Sequence, residues 1–148
     1  RELAHLGVEP LDGKLTVEYL EKMAERYPNR KIKQFIIDQT IIAGVGNIYA
    51  DESLFDAKIK PMRMAKDIKK NEWSKLIDSI RKALEQGIKY GGSSEENFVN
   101  AFGVQGEAHK HLKIYRKTGQ PCPEGCGGVV ERTVIGGRST HWCLRCQR

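Results

Sequence analysis

Cys122-Pro-Glu-Gly-Cys126, a spacer from Gly127 to Trp142, then Cys143-Leu-Arg-Cys146: all four cysteines of the 148-residue chain fall in this stretch. Three residues separate the first pair, sixteen separate the two pairs and two separate the second pair. Close thiol pairs across a short spacer match a tetrahedral structural zinc site, in which two turns each present two thiolates. Buried spectator cysteines would rarely fall into two such pairs, and nothing at Arg1 resembles a secretion signal that would favour disulfides. His141 is an alternative ligand by position, but four sulfurs already close the tetrahedron and leave no site for water. One structural zinc ion is therefore expected on Cys122, Cys126, Cys143 and Cys146. The spacer predicts two short strands, Val129 to Val134 and Ser139 to Cys143, joined by a tight turn at Ile135-Gly136-Gly137-Arg138. A unit this small buries little, so its folding should depend on the metal.

Charge is concentrated around the same stretch. From His109 to Arg148 there are eight basic residues (Lys110, Lys113, Arg116, Lys117, Arg132, Arg138, Arg145, Arg148) against Glu124 and Glu131, so the whole net charge of +6 resides there. Four thiolates around one zinc ion carry a formal charge of about −2, and the unit stays basic after that subtraction. A compact positive module favours a polyanionic partner, nucleic acid first, although solvated surface lysines give the same count. No apolar run approaches membrane-spanning length, so no membrane partner is expected.

Upstream, Arg1 to Leu15 has no periodicity and carries Gly7, Pro10 and Gly13, which reads as a linker over residues 1–15. Thr16 can cap a helix to about Tyr27, which Pro28 ends. Ile32 to Thr40 suits a short buried helix. Ile41-Ile-Ala-Gly-Val-Gly-Asn-Ile-Tyr-Ala-Asp-Glu-Ser-Leu-Phe55 follows, with Asn47 read as an N-cap, Asp51 and Glu52 placed early in the helix to complement its dipole, and Pro61 closing it. Such an N-terminus leaves backbone N–H groups able to bind a phosphate, although most Gly-Asn sequences only cap a helix. Asn71 to Tyr90 is the clearest helix, with Trp73, Leu76, Ile77, Ile80, Ala83, Leu84 and Ile88 on one stripe. Gly91-Gly92 stops it, Ser93 or Ser94 can cap a brief turn, and Asn100 to Lys110 makes a loop in which His109, like His111 two residues on, could titrate beside a phosphate. No repeat, Ser/His/Asp set, framed carboxylate pair or phosphate loop is present.

Taken together, several motifs resemble the C-terminal half of the formamidopyrimidine-DNA glycosylase and endonuclease VIII family. They are Leu6-Gly-Val-Glu-Pro-Leu11, Ile32-Lys33 with Asp38-Gln39, Ala43-Gly-Val-Gly-Asn-Ile-Tyr-Ala-Asp-Glu-Ser-Leu-Phe55, Gly91-Gly-Ser-Ser94, Val99-Asn100, Lys113-Ile-Tyr115, Gly136-Gly-Arg-Ser-Thr-His-Trp-Cys143 and Cys146-Gln147. The resemblance implies a mainly α fold: a helix-two-turn-helix DNA-binding domain over residues 16–108, then a basic zinc-finger segment over 109–148 whose β-hairpin enters the minor groove. By that likeness Asn47 and the adjoining amides would hold a backbone phosphate, with Lys33 and the Arg30-Lys31 pair on the DNA-facing side. Arg138 would grip phosphates flanking a flipped-out nucleotide and assist the second elimination step of strand cleavage. Expected partners are double-stranded DNA with oxidised or abasic sites and an N-terminal catalytic domain, in a cytoplasmic, nucleoid-associated monomer. The family's N-terminal Pro-Glu nucleophile and its β-sandwich are not in this sequence. The chain therefore reads as a fragment or truncated form that binds DNA without excising a base.

Two departures stand out. The family usually has two residues inside the first cysteine pair, and the loop Phe102-Gly-Val-Gln-Gly-Glu-Ala-His-Lys-His111 lacks its Gly-Tyr-Phe pattern, leaving open whether oxidised purines or pyrimidines are preferred. Two other classes compete: a stand-alone, non-enzymatic zinc module for RNA or DNA, and a zinc ribbon for protein interaction.

Overall fold

The computed structural model describes residues 6–90 and 111–148. The expected turn after Gly92, the loop from Asn100 and His109 lie outside them. Among the described residues four α-helices come first, α1 (Val17–Arg26), α2 (Ile32–Ile37), α3 (Asn47–Ala57) and α4 (Lys70–Lys89), followed by the strands β1 (Val130–Ile135) and β2 (Arg138–Cys143). This is the mainly α architecture with a small β-hairpin that the sequence implies.

Local chemistry sets most boundaries. The Tyr19 amide donates to Thr16 Oγ1 at 3.1 Å, so Thr16 caps α1 as expected. α2 stops at Ile37, short of the expected Thr40, because Asp38 Oδ1 accepts both the amide and the hydroxyl of Thr40, at 2.9 and 2.6 Å. That local capture competes with helix propagation. Pro61 does not close α3. The helix ends at Ala57, Lys58 turns left-handed at φ 64°, and the Pro61 carbonyl instead accepts the Lys33 amide at 3.1 Å. A short 3-10 turn, Ala65–Asp67, lies within the connection to α4.

The stripe on α4 is real except at its end. Trp73, Leu76, Ile77, Ile80, Ala83 and Leu84 are buried, while Ile88 is 55% exposed. At about 100° per residue, Ile88 sits ~80° around the helix from Ile80, whereas Gly87 lies ~20° from it and is the buried residue of that turn.

The segment before α1 packs against the helical unit where it is described. Gly7 donates to the Gln39 carbonyl at 2.8 Å, Val8 pairs with Ile42 as a parallel bridge, and Leu15 is buried in the main core. Gly7 is required there, since a Cβ would lie 2.1 Å from the Ile41 carbonyl oxygen.

α3 has no solvent stripe: nine of its eleven residues are buried. Ile48, Tyr49, Ala50, Leu54 and Ala57 join the main core with α1, α2 and α4. Phe55 joins a second, smaller cluster with Ile114, Cys122, Val130 and Cys143. α3 is thus shared by the helical unit and the cysteine-bearing unit. In the latter, β1 and β2 pair antiparallel from Val130↔Cys143 to Ile135↔Arg138. Ile135 and Arg138 are therefore the last ladder pair, and the turn is Gly136-Gly137 alone, with φ of +58° and +79°. Two successive positive φ values suit a two-residue hairpin turn that follows the strand twist.

Candidate nucleic-acid interface

The four cysteine sulfurs converge. All lie within 4.8 Å of one another, with Cys122 to Cys146 and Cys126 to Cys143 each at 3.5 Å. A zinc ion with sulfur bonds of ~2.3 Å sets tetrahedral sulfur separations near ~3.8 Å, so the site fits one ion. The chemistry of the thiols points the same way. Hydrogen bonding from Cys146 and from the Gly128 amide, whose nitrogen lies 3.3 Å from the sulfur, draws Cys126 down to about 7, while burial pushes Cys143 and Cys146 up. Four thiolates side by side need a cation. His141 is not a ligand: its Nδ1 lies 3.0 Å from Asp51 Oδ2.

That contact belongs to a buried junction between α2, α3 and β2. Lys33 and Asp51 are 0% and 1% exposed. The Lys33 ammonium donates to Asp51 Oδ1 at 2.6 Å, to Thr140 Oγ1 at 2.9 Å and to the Ser139 carbonyl at 3.3 Å. Asp51 Oδ2 also accepts the His141 amide at 2.9 Å. Asn47 Nδ2 donates to the same Ser139 carbonyl at 3.1 Å, and Arg132 donates to the Ser139 hydroxyl at 2.7 and 3.1 Å. Apart from the Lys33–Asp51 pair itself, these bonds fall on residues 139–141, directly after the exposed Arg138. At the turn, Gly136 packs against Gln34 of α2 so closely that a Cβ would lie 2.3 Å from Gln34 Nε2.

The residues singled out in the sequence separate accordingly. Lys33 and Asn47 meet at the Ser139 carbonyl, one residue after Arg138. Lys33, expected on the DNA-facing side, has no exposed surface; its buried charge is met by Asp51, Thr140 and the Ser139 carbonyl. Asn47 is not the N-cap; Gly46 is, and Asn47 takes the first helical position with its amide turned to β2. Arg30 pairs with Asp38 and stacks 4.1 Å from the Tyr27 ring centroid, while Lys31 is exposed at the N-cap of α2.

Asp51 and Glu52 do not serve the α3 dipole. Glu52 instead accepts the amides of Lys113, Ile114 and Tyr115 at 2.8, 2.9 and 2.9 Å. Burial pushes its carboxyl above the ordinary range despite these three bonds. The start of α3 consequently carries neither a side-chain cap nor an acid in its first turn. Its positive dipole end stands beside the strand that begins at Arg138, an arrangement suited to an anion. Sequence reasoning missed Asp51, Arg132, Thr140 and Gln34. Only Asp51 had a signal, since Asn47 and Asp51 are four apart and share a helix face.

This is a helical unit joined to a zinc-held hairpin by a buried hydrogen-bonded seam, with cationic residues beside it. Residues 6–99 match the formamidopyrimidine-DNA glycosylase H2TH domain, and residues 119–148 match the zinc finger found in FPG and IleRS. The chain belongs to the formamidopyrimidine-DNA glycosylase family. It is 44% identical over 147 residues to the formamidopyrimidine-DNA glycosylase of Roseiflexus sp. (strain RS-1), covering 99% of this chain and 53% of that protein. It is 44% identical over 146 residues to that of Prochlorococcus marinus (strain MIT 9312), covering 99% and 49%. The chain therefore spans about half the length of the curated relatives it matches. Lactococcus lactis Fpg in complex with DNA containing an abasic site superposes with a TM-score of 0.85 at 34% identity, over 99% of this chain and 52% of that one. MutM in complex with DNA containing carbocyclic 8-oxo-G gives 0.83 at 33%, over 99% and 52%.

Proposed function

We propose that this chain is the DNA-binding part of a base-excision glycosylase and AP lyase acting on oxidised bases. It grips one backbone of a damaged duplex between the α3 N-terminus and Arg138. The Ser139 junction carries this reading: Asn47 and Lys33 converge on the carbonyl after Arg138, so helix terminus and cationic tip form one unit. In this reading the α3 amides hold one phosphate, Arg138 holds those flanking the lesion and assists the second elimination, Arg30 and Lys31 extend the positive surface, and Lys33 acts from within by fixing the hairpin. The zinc ion on Cys122, Cys126, Cys143 and Cys146 supplies the fold of the hairpin unit. The 148 residues bind as a monomer in the cytoplasm and do not excise bases without a catalytic domain bearing the amine nucleophile.

Fluorescence anisotropy with an abasic-analogue duplex, plain duplex and hairpin RNA, across a salt series, tests this. The expected order is abasic duplex first, with steep salt dependence and a salt slope reduced by about 1 in Arg138→Ala. Equal affinity for hairpin RNA refutes damage-site binding, and glycosylase turnover by the purified chain refutes its inactivity.

A further inference from the structure

We infer that Asp51 is the positioning residue for Arg138, holding the cationic tip ready before DNA arrives. This rests on the proposed role of Arg138 in gripping phosphate. Asp51 touches no exposed surface, so a direct part in binding is closed to it. Its two oxygens are instead divided between the two sides of the seam. Oδ1 takes the Lys33 ammonium, which reaches on to Thr140 Oγ1 and the Ser139 carbonyl, and Oδ2 takes the His141 amide and ring. Residues 139, 140 and 141 are thereby each tied, directly or through Lys33, to one carboxylate. Arg138 is the next residue toward the tip, and beyond it the two-glycine turn offers little stiffness of its own.

The arrangement also explains why a lysine and an aspartate are buried together at all. A buried ion pair adds little net stability over apolar residues of the same volume, and in some proteins its use lies in fixing one geometry. Here that geometry is the position of the first residue of β2 relative to the N-terminus of α3. Four residues along α3 from Asn47, Asp51 sits on the face that Asn47 uses to hold the Ser139 carbonyl. An arginine that is already in place loses less freedom on taking a phosphate, which appears as tighter binding without a new contact.

A double-mutant cycle in the full 148-residue chain tests this, using an abasic-analogue duplex. Asp51→Asn should lower affinity about tenfold, and in an Arg138→Ala background the same change should cost less than about twofold. Cobalt substitution, read by its thiolate absorption, confirms that each variant keeps the metal site. Should Asp51→Asn not fold, Thr140→Val removes one Lys33 bond at nearly constant volume, and its smaller loss should likewise vanish in the Arg138→Ala background. Without DNA, nitrogen relaxation should show the Arg138 amide more mobile in either variant. Equal losses in both backgrounds, or an Arg138 amide unchanged by them, overturn the assignment. If the unaltered chain fails to prefer the abasic duplex while Arg138 still loosens in the variants, the proposed function falls and the positioning role stands.

Discussion

Glu52→Ala is expected to destabilise the chain by about 2–4 kcal/mol. The carboxylate takes three consecutive amides, from Lys113, Ile114 and Tyr115. Hydrogen bonds to a charged acceptor contribute roughly 1.5–3 kcal/mol each, which gives a gross value of about 4.5–9 kcal/mol. Two effects reduce it. Burial raises the Glu52 carboxyl above its ordinary range, so holding the charge there is itself costly and its removal returns part of the gross value. A cavity of about 20 Å³ bordered by Glu52, Tyr49 and His111 also leaves room for one water, which can satisfy one or two of the freed amides. Glu52→Gln keeps one carbonyl acceptor and turns an NH2 toward the remaining donors, for a smaller cost of about 1–2 kcal/mol. Urea unfolding at neutral pH with saturating zinc measures both, and hydrogen exchange should quicken at residues 113–115 in proportion. An alanine variant within about 0.5 kcal/mol of the parent, or one no worse than the glutamine variant, refutes the claim that this carboxylate anchors the entry to the zinc unit.

Gly7→Ala should cost about 3 kcal/mol in the same assay, because the new Cβ meets backbone atoms of Ile41 at 2.1 and 2.2 Å that cannot step aside. Stripping zinc with a chelator should release one ion per chain and abolish amide protection across residues 130–143, while the α4 amides around Leu76 and Ile80 stay protected; coincident loss of both sets would contradict two separate cores. Arg63 donates to Glu72 at 2.6 and 3.0 Å and holds its carboxyl below the ordinary range. The folded value is the lower one, so this stabilisation is present above the ordinary glutamate value of about 4.3 and fades as pH falls through the folded value. The stability gap between the parent and Glu72→Gln should therefore shrink on going from pH 6 to pH 3.

How much of this was readable in the chain depends on the range of the interaction. α1 and α4 announce themselves because each has one buried face and a solvent face, which stamps a period on the residues. The zinc ligands are equally legible, since each pair is held within one short turn. α3 is different. With nearly every side chain buried it carries no stripe, so its helix is readable while its role is not. Asp51 and Glu52 look like ordinary dipole partners until the chain brings residues 139–141 and 113–115 against them. Lys33 is the instructive case. A lysine within Ile32-Lys-Gln-Phe-Ile-Ile37 is an anomaly in an otherwise apolar helix, but its partners lie 18 and 107 residues away, and only the tertiary fold shows that they exist.

The seam also changes what the zinc unit is. A metal-held hairpin on a flexible tether would present its arginine in many orientations, and its affinity would bear the cost of ordering it. Here, among the described residues, α3 and the residues just after it hold the unit at three points. Glu52 holds its entry at 113–115, Asp51 and Asn47 hold β2 at 139–141, and the far end is tied where Gln147 donates to the Ile59 carbonyl at 2.8 Å and the Arg148 amide donates to the Lys58 carbonyl at 2.8 Å. The first two fastenings come from α3 and the third from the two residues that follow its C-terminus. The helix whose N-terminus stands beside the start of β2 is therefore also the one that holds the strand following Arg138, so the two anion contacts proposed above would share one support.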